Sequence, residues 1–163
     1  MGAKEWLDVE WLGAEVAIRA SNGQYIATKP NGGLCANAAS NSDAKAKYIW
    51  EIINRPRLVL RGEHGFLGTL GSGVIECNKS TPEVYNLHVS AGVAHISGSN
   101  GKFWQVNGDN ITVSGDKGTD FFLDMVEHSK MLIRYGDKYL QGFQNGGLKF
   151  TGTGISDSTL WEY

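Results

Sequence analysis

Residues 58–69 read LVLRGEHGFLGT. Leu58 and Leu60 alternate with Val59 and Arg61, Glu63 and His64 sit between two glycines, and Phe66 opens a second apolar run. A period of two places the leucines on one face of a strand, and a short polar stretch between glycines makes a hairpin reversal. One hairpin buries too little to stand alone, so the stretch decides a fold only by recurring. It recurs as VAIRASNGQYIA from Val16, VAHISGSNGKFWQV from Val93 and MLIRYGDKYLQG from Met131. Each copy is an alternating strand, a polar turn and an opening aromatic: Tyr25, Phe66, Phe103 and Tyr139.

The second half of each unit recurs too, as Gly33-Leu34-Cys35-Ala36, Val74-Ile75-Glu76-Cys77, Asn110-Ile111-Thr112-Val113 and Gly147-Leu148-Lys149-Phe150. A closing strand follows every time: YIWEII from Tyr48, VYNLHV from Val84, FFLDMV from Phe121 and LWEY at the end. The opening aromatics lie 41, 37 and 36 positions apart, room for about four short strands with their turns. Three such units close a barrel capped by hairpins, so the expected fold is all-β, a β-trefoil. A propeller has a similar period, but the repeats are too few and no Trp-Asp blade signature occurs.

Four units are one more than a trefoil needs. Trp6-Leu7-Asp8-Val9-Glu10 also resembles the closing strand at residues 121–127, so the chain opens within a further repeat. We therefore expect a piece of a longer tandem protein. Residues 54–163 would be a complete trefoil and residues 1–53 the C-terminal part of a preceding one. Such a leftover repeat exposes strand edges and an apolar face; it must pack on the complete trefoil, self-associate or stay mobile.

Composition narrows the function. Of 163 residues 41% are hydrophobic and 20% charged, the profile of a folded chain. Fifteen basic against seventeen acidic residues leave a net charge of −2, without the basic field that drives nucleic-acid binding. The start, MGAKEWLDVEW, has no apolar signal core, and no run of about 18 apolar residues exists. A cytoplasmic location without membrane insertion follows, which makes Asn78-Lys79-Ser80 and Asn110-Ile111-Thr112 chance matches to the glycosylation pattern. Cys35 and Cys77 form no CxxC and read as reduced, mostly buried thiols.

No catalytic constellation emerges. A relay between Glu63 and His64 requires convergence, and neighbours on an extended chain point to opposite faces. The pair replaces Ser21-Asn22 and Ser99-Asn100 of sister turns, which marks it as a turn with a contact for a partner. His64, His88, His95 and His128 have no metal-ligand spacing, and there is no GxSxG, P-loop or GxGxxG. No cofactor is expected. The Gln-x-Trp pattern of ricin-type lectins is absent; Trp50 and Trp161, at corresponding places in closing strands, read as core. Basic residues near turns (Arg19, Lys29, Arg55, Arg57, Arg61, Lys130, Arg134, Lys138 and Lys149) would suit an acidic protein surface.

Taken together, IRASNGQYIATK, INRPRLVLRGEHGFLG, SNGKFWQVN, GTDFFLDM and the terminal TLWEY resemble the C-terminal part of the fascin family. The resemblance runs from about Trp6 to Tyr163. It implies tandem β-trefoils, here the end of the third and all of the fourth, and a non-enzymatic role cross-linking filamentous actin into bundles of the kind found in filopodia and other cell projections. Neighbouring trefoils of the full-length protein are implied as further partners. The actin-binding residues that the resemblance implies are Glu63, His64, Lys130 and Tyr163. Three departures replace family cations: Thr69-Leu70-Gly71-Ser72 after the segment GFLG, Gln141 in the last repeat, and Glu51 before INRP. Losing them weakens contact with an acidic filament, and one module lacks the two separated surfaces that bundling needs. The competing reading is a trefoil that binds carbohydrate or another small ligand.

Overall fold

A computed structural model describes residues 6–51 and 56–163. The end of the closing strand YIWEII, the expected boundary at Asn54, and Arg55 lie outside the described residues. The fold is all-β: the only helical element among the described residues is one 3-10 turn, Ala44–Ala46, and no helix is long and apolar enough to cross a membrane. The described residues fall into two compact units, one ending at Glu51 and the other comprising residues 56–163.

The first unit contains β1 (Leu7–Leu12), β2 (Glu15–Ala20), β3 (Tyr25–Thr28), β4 (Leu34–Ala38) and β5 (Lys47–Ile49). Strand β2 is central, with β1 on one side and β5 and the β3–β4 hairpin on the other. These are the strands of one repeat, β2 to β5, preceded by a closing strand, β1.

The second unit contains β6 (Arg57–Leu58), β7 (Arg61–Gly62), β8 (Gly65–Thr69), β9 (Ile75–Lys79), β10 (Tyr85–Ser90), β11 (Val93–Ser97), β12 (Phe103–Asn107), β13 (Asn110–Gly115), β14 (Phe122–Glu127), β15 (Lys130–Tyr135), β16 (Lys138–Gly142), β17 (Leu148–Gly152) and β18 (Trp161–Glu162). Antiparallel pairing runs β6–β10–β11 and β14–β15–β18–β7. The halves join where Ala94 and Phe121 exchange both backbone hydrogen bonds, at 2.8 and 3.0 Å. Since β6 and β7 are two parts of one opening strand, the ring closes as a six-stranded barrel. Hairpins β8–β9, β12–β13 and β16–β17 cap one end, joined to one another by Val74↔Thr112, Asn110↔Lys149 and a 3.0 Å bond from the Cys77 amide to the Gly146 carbonyl. This is the expected β-trefoil.

Its core is written three times. Leu58 faces Tyr85, Ala94 faces Phe121 and Met131 faces Trp161 across neighbouring strands, and all six are buried. Fully burying side chains the size of Leu58, Phe121 or Met131 contributes about 1.5–3 kcal/mol each. Aromatic contacts tie barrel to cap: Tyr85 meets Trp104 edge-on at 5.1 Å, and Phe121 stacks on Phe150 at 5.5 Å.

This register corrects three details of the sequence alignment. Ala94 rather than Val93 corresponds to Leu58 and Met131, because Ala94 and Ile96 are the inward residues of β11 and the following turn is one residue longer. The counterpart of Trp161 is Tyr48, not Trp50: Val16 faces Tyr48 as Met131 faces Trp161. The Tyr48 hydroxyl donates to the Ile26 carbonyl at 3.1 Å, just as Trp161 Nε1 donates to that of Leu140 at 3.0 Å. Trp50 instead packs edge-on against Trp11 at 5.2 Å. On β1, register puts Glu10 rather than Asp8 in the place of Asp124: Glu10 faces Ala17, two residues before Arg19, as Asp124 faces Leu132, two residues before Arg134.

Candidate functional site at the barrel seam

The seam lies where the first and last strands of the barrel meet. Residue Gly62 on β7 has no side chain because Trp161 occupies that space: a Cβ there would lie 2.6 Å from the indole ring. The chain then reverses through Glu63 and His64 into Gly65, whose φ of +138° favours glycine. Packing below and backbone geometry behind thus fix where the Glu-His turn projects.

In this turn the two side chains converge, His64 Nε2 lying 3.7 Å from Glu63 Oε2. The extended-strand rule that separates neighbours does not govern a reversal. At 3.7 Å the contact is beyond hydrogen-bond range.

Lys130 arrives from the other side of the seam. It opens β15 opposite Glu162 of β18, which in turn faces Arg61 of β7. Its ammonium lies 3.3 Å from Glu127, and Arg61 lies 3.9 Å from Glu162. A cleft of about 220 Å³ between these strands is lined by Arg61, Gly62, Glu63, Lys130, Asp157, Leu160 and Glu162. Glu63 and Lys130, far apart in sequence, therefore share one wall-to-wall feature. Tyr163 follows directly, its amide donating to the Ser129 carbonyl at 3.0 Å. His64 and Tyr163 do not line the cleft; they lie next in sequence to Glu63 and Glu162, which do.

Arg61, expected only as one of several basic residues near turns, belongs to the cleft, as do Asp157 and Glu162, which sequence reasoning missed. Glu162 and Arg61 stood in quoted motifs, and β7–β18 pairing was the missing information. The lining has two cations against three carboxylates, so it is a mixed-charge surface rather than a basic patch. Positions expected to have lost cations carry other work: Gln141 accepts from Thr151 at 3.0 Å and donates to Ser158 at 3.2 Å, and the Thr69 amide donates to Glu83.

With this geometry in view, comparison with known proteins is decisive. The Fascin domain family model matches residues 75–163. The chain belongs to the fascin family. It is 36% identical to Fascin-2 of Homo sapiens over 169 aligned residues, taking in 100% of this chain and 34% of the relative. It is 35% identical to Fascin-2 of Bos taurus, covering 96% of this chain and 32% of that protein. Fascin of Strongylocentrotus purpuratus is 32% identical, covering 95% and 31% respectively. The chain thus spans about a third of the length of these relatives.

Proposed function

We propose that the chain is an actin-filament-binding and cross-linking module of a fascin-like bundling protein, without catalytic activity. In this reading residues 54–163 are the fourth trefoil and residues 1–53 the end of the third. Glu63, His64, Lys130 and Tyr163 contact the filament, and the protein works in cytoplasmic actin bundles of cell projections. The observation that carries the reading is the placement of Glu63 and Lys130 on one cleft at the seam of a fascin-family trefoil, with Tyr163 beside it. A barrel of this kind presents such charges without reorganising, and alternating signs suit a protein surface that mixes acidic and basic groups.

Bundling needs two filament contacts held apart, and one seam provides one. Co-sedimentation with filamentous actin tests this: the chain should enter the high-speed pellet, less so as salt rises, and should bring few filaments down at low speed. Robust low-speed bundling by the chain would overturn the module reading.

The carbohydrate or small-ligand reading draws on a second cleft, of about 500 Å³, whose lining includes Ser72, Ser99, Asn100, Lys102, Ser114 and Glu83. These groups can bond hydroxyls, but no aromatic lines the cleft for a sugar ring to stack on. A glycan array or a ligand-induced rise in melting temperature would favour it.

A further inference from the structure

The sequence holds three prolines. Pro30 and Pro56 follow Lys29 and Arg55, and only Pro82 follows a hydroxyl side chain, that of Thr81. The step Thr81-Pro82 lies in residues 80–84, an irregular segment between β9 and β10. Ser80, Thr81 and Pro82 are all exposed, and the Thr81 hydroxyl makes no hydrogen bond among the described residues. Both ends of the segment are held. Lys79 faces Phe66 across the β8–β9 hairpin, the Glu83 carboxylate accepts from the Thr69 amide, and Tyr85 is buried. Between these anchors Pro82 brings no N–H to satisfy and biases Thr81 toward an extended backbone.

We propose that Thr81 is a phosphorylation site for a proline-directed serine/threonine protein kinase. Such an enzyme takes its substrate extended and selects, after the acceptor, a residue without an amide hydrogen. Thr81 Oγ1 attacks the γ-phosphorus of magnesium-bound ATP; the bond to the β,γ-bridging oxygen breaks, ADP leaves, and the hydroxyl proton passes to the kinase's base. The product carries about −1.5 to −2 units of added charge at neutral pH.

That charge falls beside the seam. Gly65 closes the Glu-His turn against the β9 backbone, where a Cβ would lie 2.8 Å from the Lys79 carbonyl oxygen. Antiparallel register carries the chain from Lys79 toward that turn, and Thr81 is two residues on, within about 7 Å of Lys79. Lys79 is already paired with Glu76, and Glu83 follows Pro82, so the phosphate adds to an acidic flank. Resting on the filament reading above, phosphorylation weakens filament contact by like-charge repulsion.

The test incubates the full 163-residue chain with a mitogen-activated protein kinase and magnesium ATP. Peptide mapping by mass spectrometry should find one phosphoryl group per chain, on Thr81, and none in Thr81→Ala or Pro82→Ala. Both substitutions fall at exposed positions, and circular dichroism should show the wild-type fold. A folded chain left unmodified, phosphate mapped to another residue, or modification that survives Pro82→Ala would overturn the site. The phosphorylated chain should then lose binding in high-speed co-sedimentation with filamentous actin at low salt, where the unmodified chain pellets. Equal pelleting of the two would overturn the regulation. No pelleting by the unmodified chain would remove the filament reading and the regulation with it, and leave the mapped site standing.

Discussion

At residue scale, glycines and thiols carry the sharpest tests. Gly62 has the Trp161 ring where a methyl group would go, at 2.6 Å. Gly62→Ala should cost about 1–3 kcal/mol by forcing the buried indole to move, read as a lower midpoint in urea unfolding; an unchanged midpoint would mean that the ring yields freely. Cys77 is buried, and burial raises its thiol pKa above the usual 9.0, so it holds little thiolate near neutrality. Cys35 is only half-buried, and both cysteines are free thiols. Alkylation of the native chain should therefore label Cys35 first and Cys77 only with unfolding, as peptide mass mapping would show. Reduced thiols were legible from spacing alone. The packing that makes Gly62 obligatory was not, because it depends on a tryptophan a hundred positions away in the chain.

At element scale, the buried pair between Asp124 on β14 and Arg134 on β15 governs a pH response. Burial, the larger influence, raises the Asp124 pKa above 3.8, while the Arg134 guanidinium at 3.2 Å pulls it down. Asp124 Oδ1 has no hydrogen-bond partner among the described residues. The folded chain thus holds this proton more tightly than the unfolded chain. Its contribution is fully present below the unfolded value near 3.8 and is lost as pH rises through the raised folded value. The stability of the wild type relative to Asp124→Asn should therefore fall as pH climbs from about 3.8; a difference that grows with pH would contradict this.

The elements themselves were largely readable. Alternation and turns predicted four strands per repeat because inward positions must be apolar and turns must be tight. Alignment failed where residue type misled: WEI and WEY paired Trp50 with Trp161, whereas hydrogen bonding pairs Tyr48 with it. In β11, likewise, a one-residue change in turn length shifted the inward set.

At the scale of the molecule, the second unit is a closed barrel that carries a charged seam. The seam was half legible. The Glu-His turn departed visibly from its sisters, but Lys130, Asp157 and Glu162 join it only through closure of first on last strand. The sequence resemblance and the family match agree on what kind of chain this is.

The central claim is that the Glu-His turn at the seam contacts the filament. Replacing Glu63→Ser with His64→Asn installs the turn residues of the sister repeats and should leave the melting temperature nearly unchanged. High-speed co-sedimentation with filamentous actin at low salt should then show binding by the wild type and a clear loss in the double variant. Equal pelleting of the two chains, or no wild-type binding at low salt, would contradict the account.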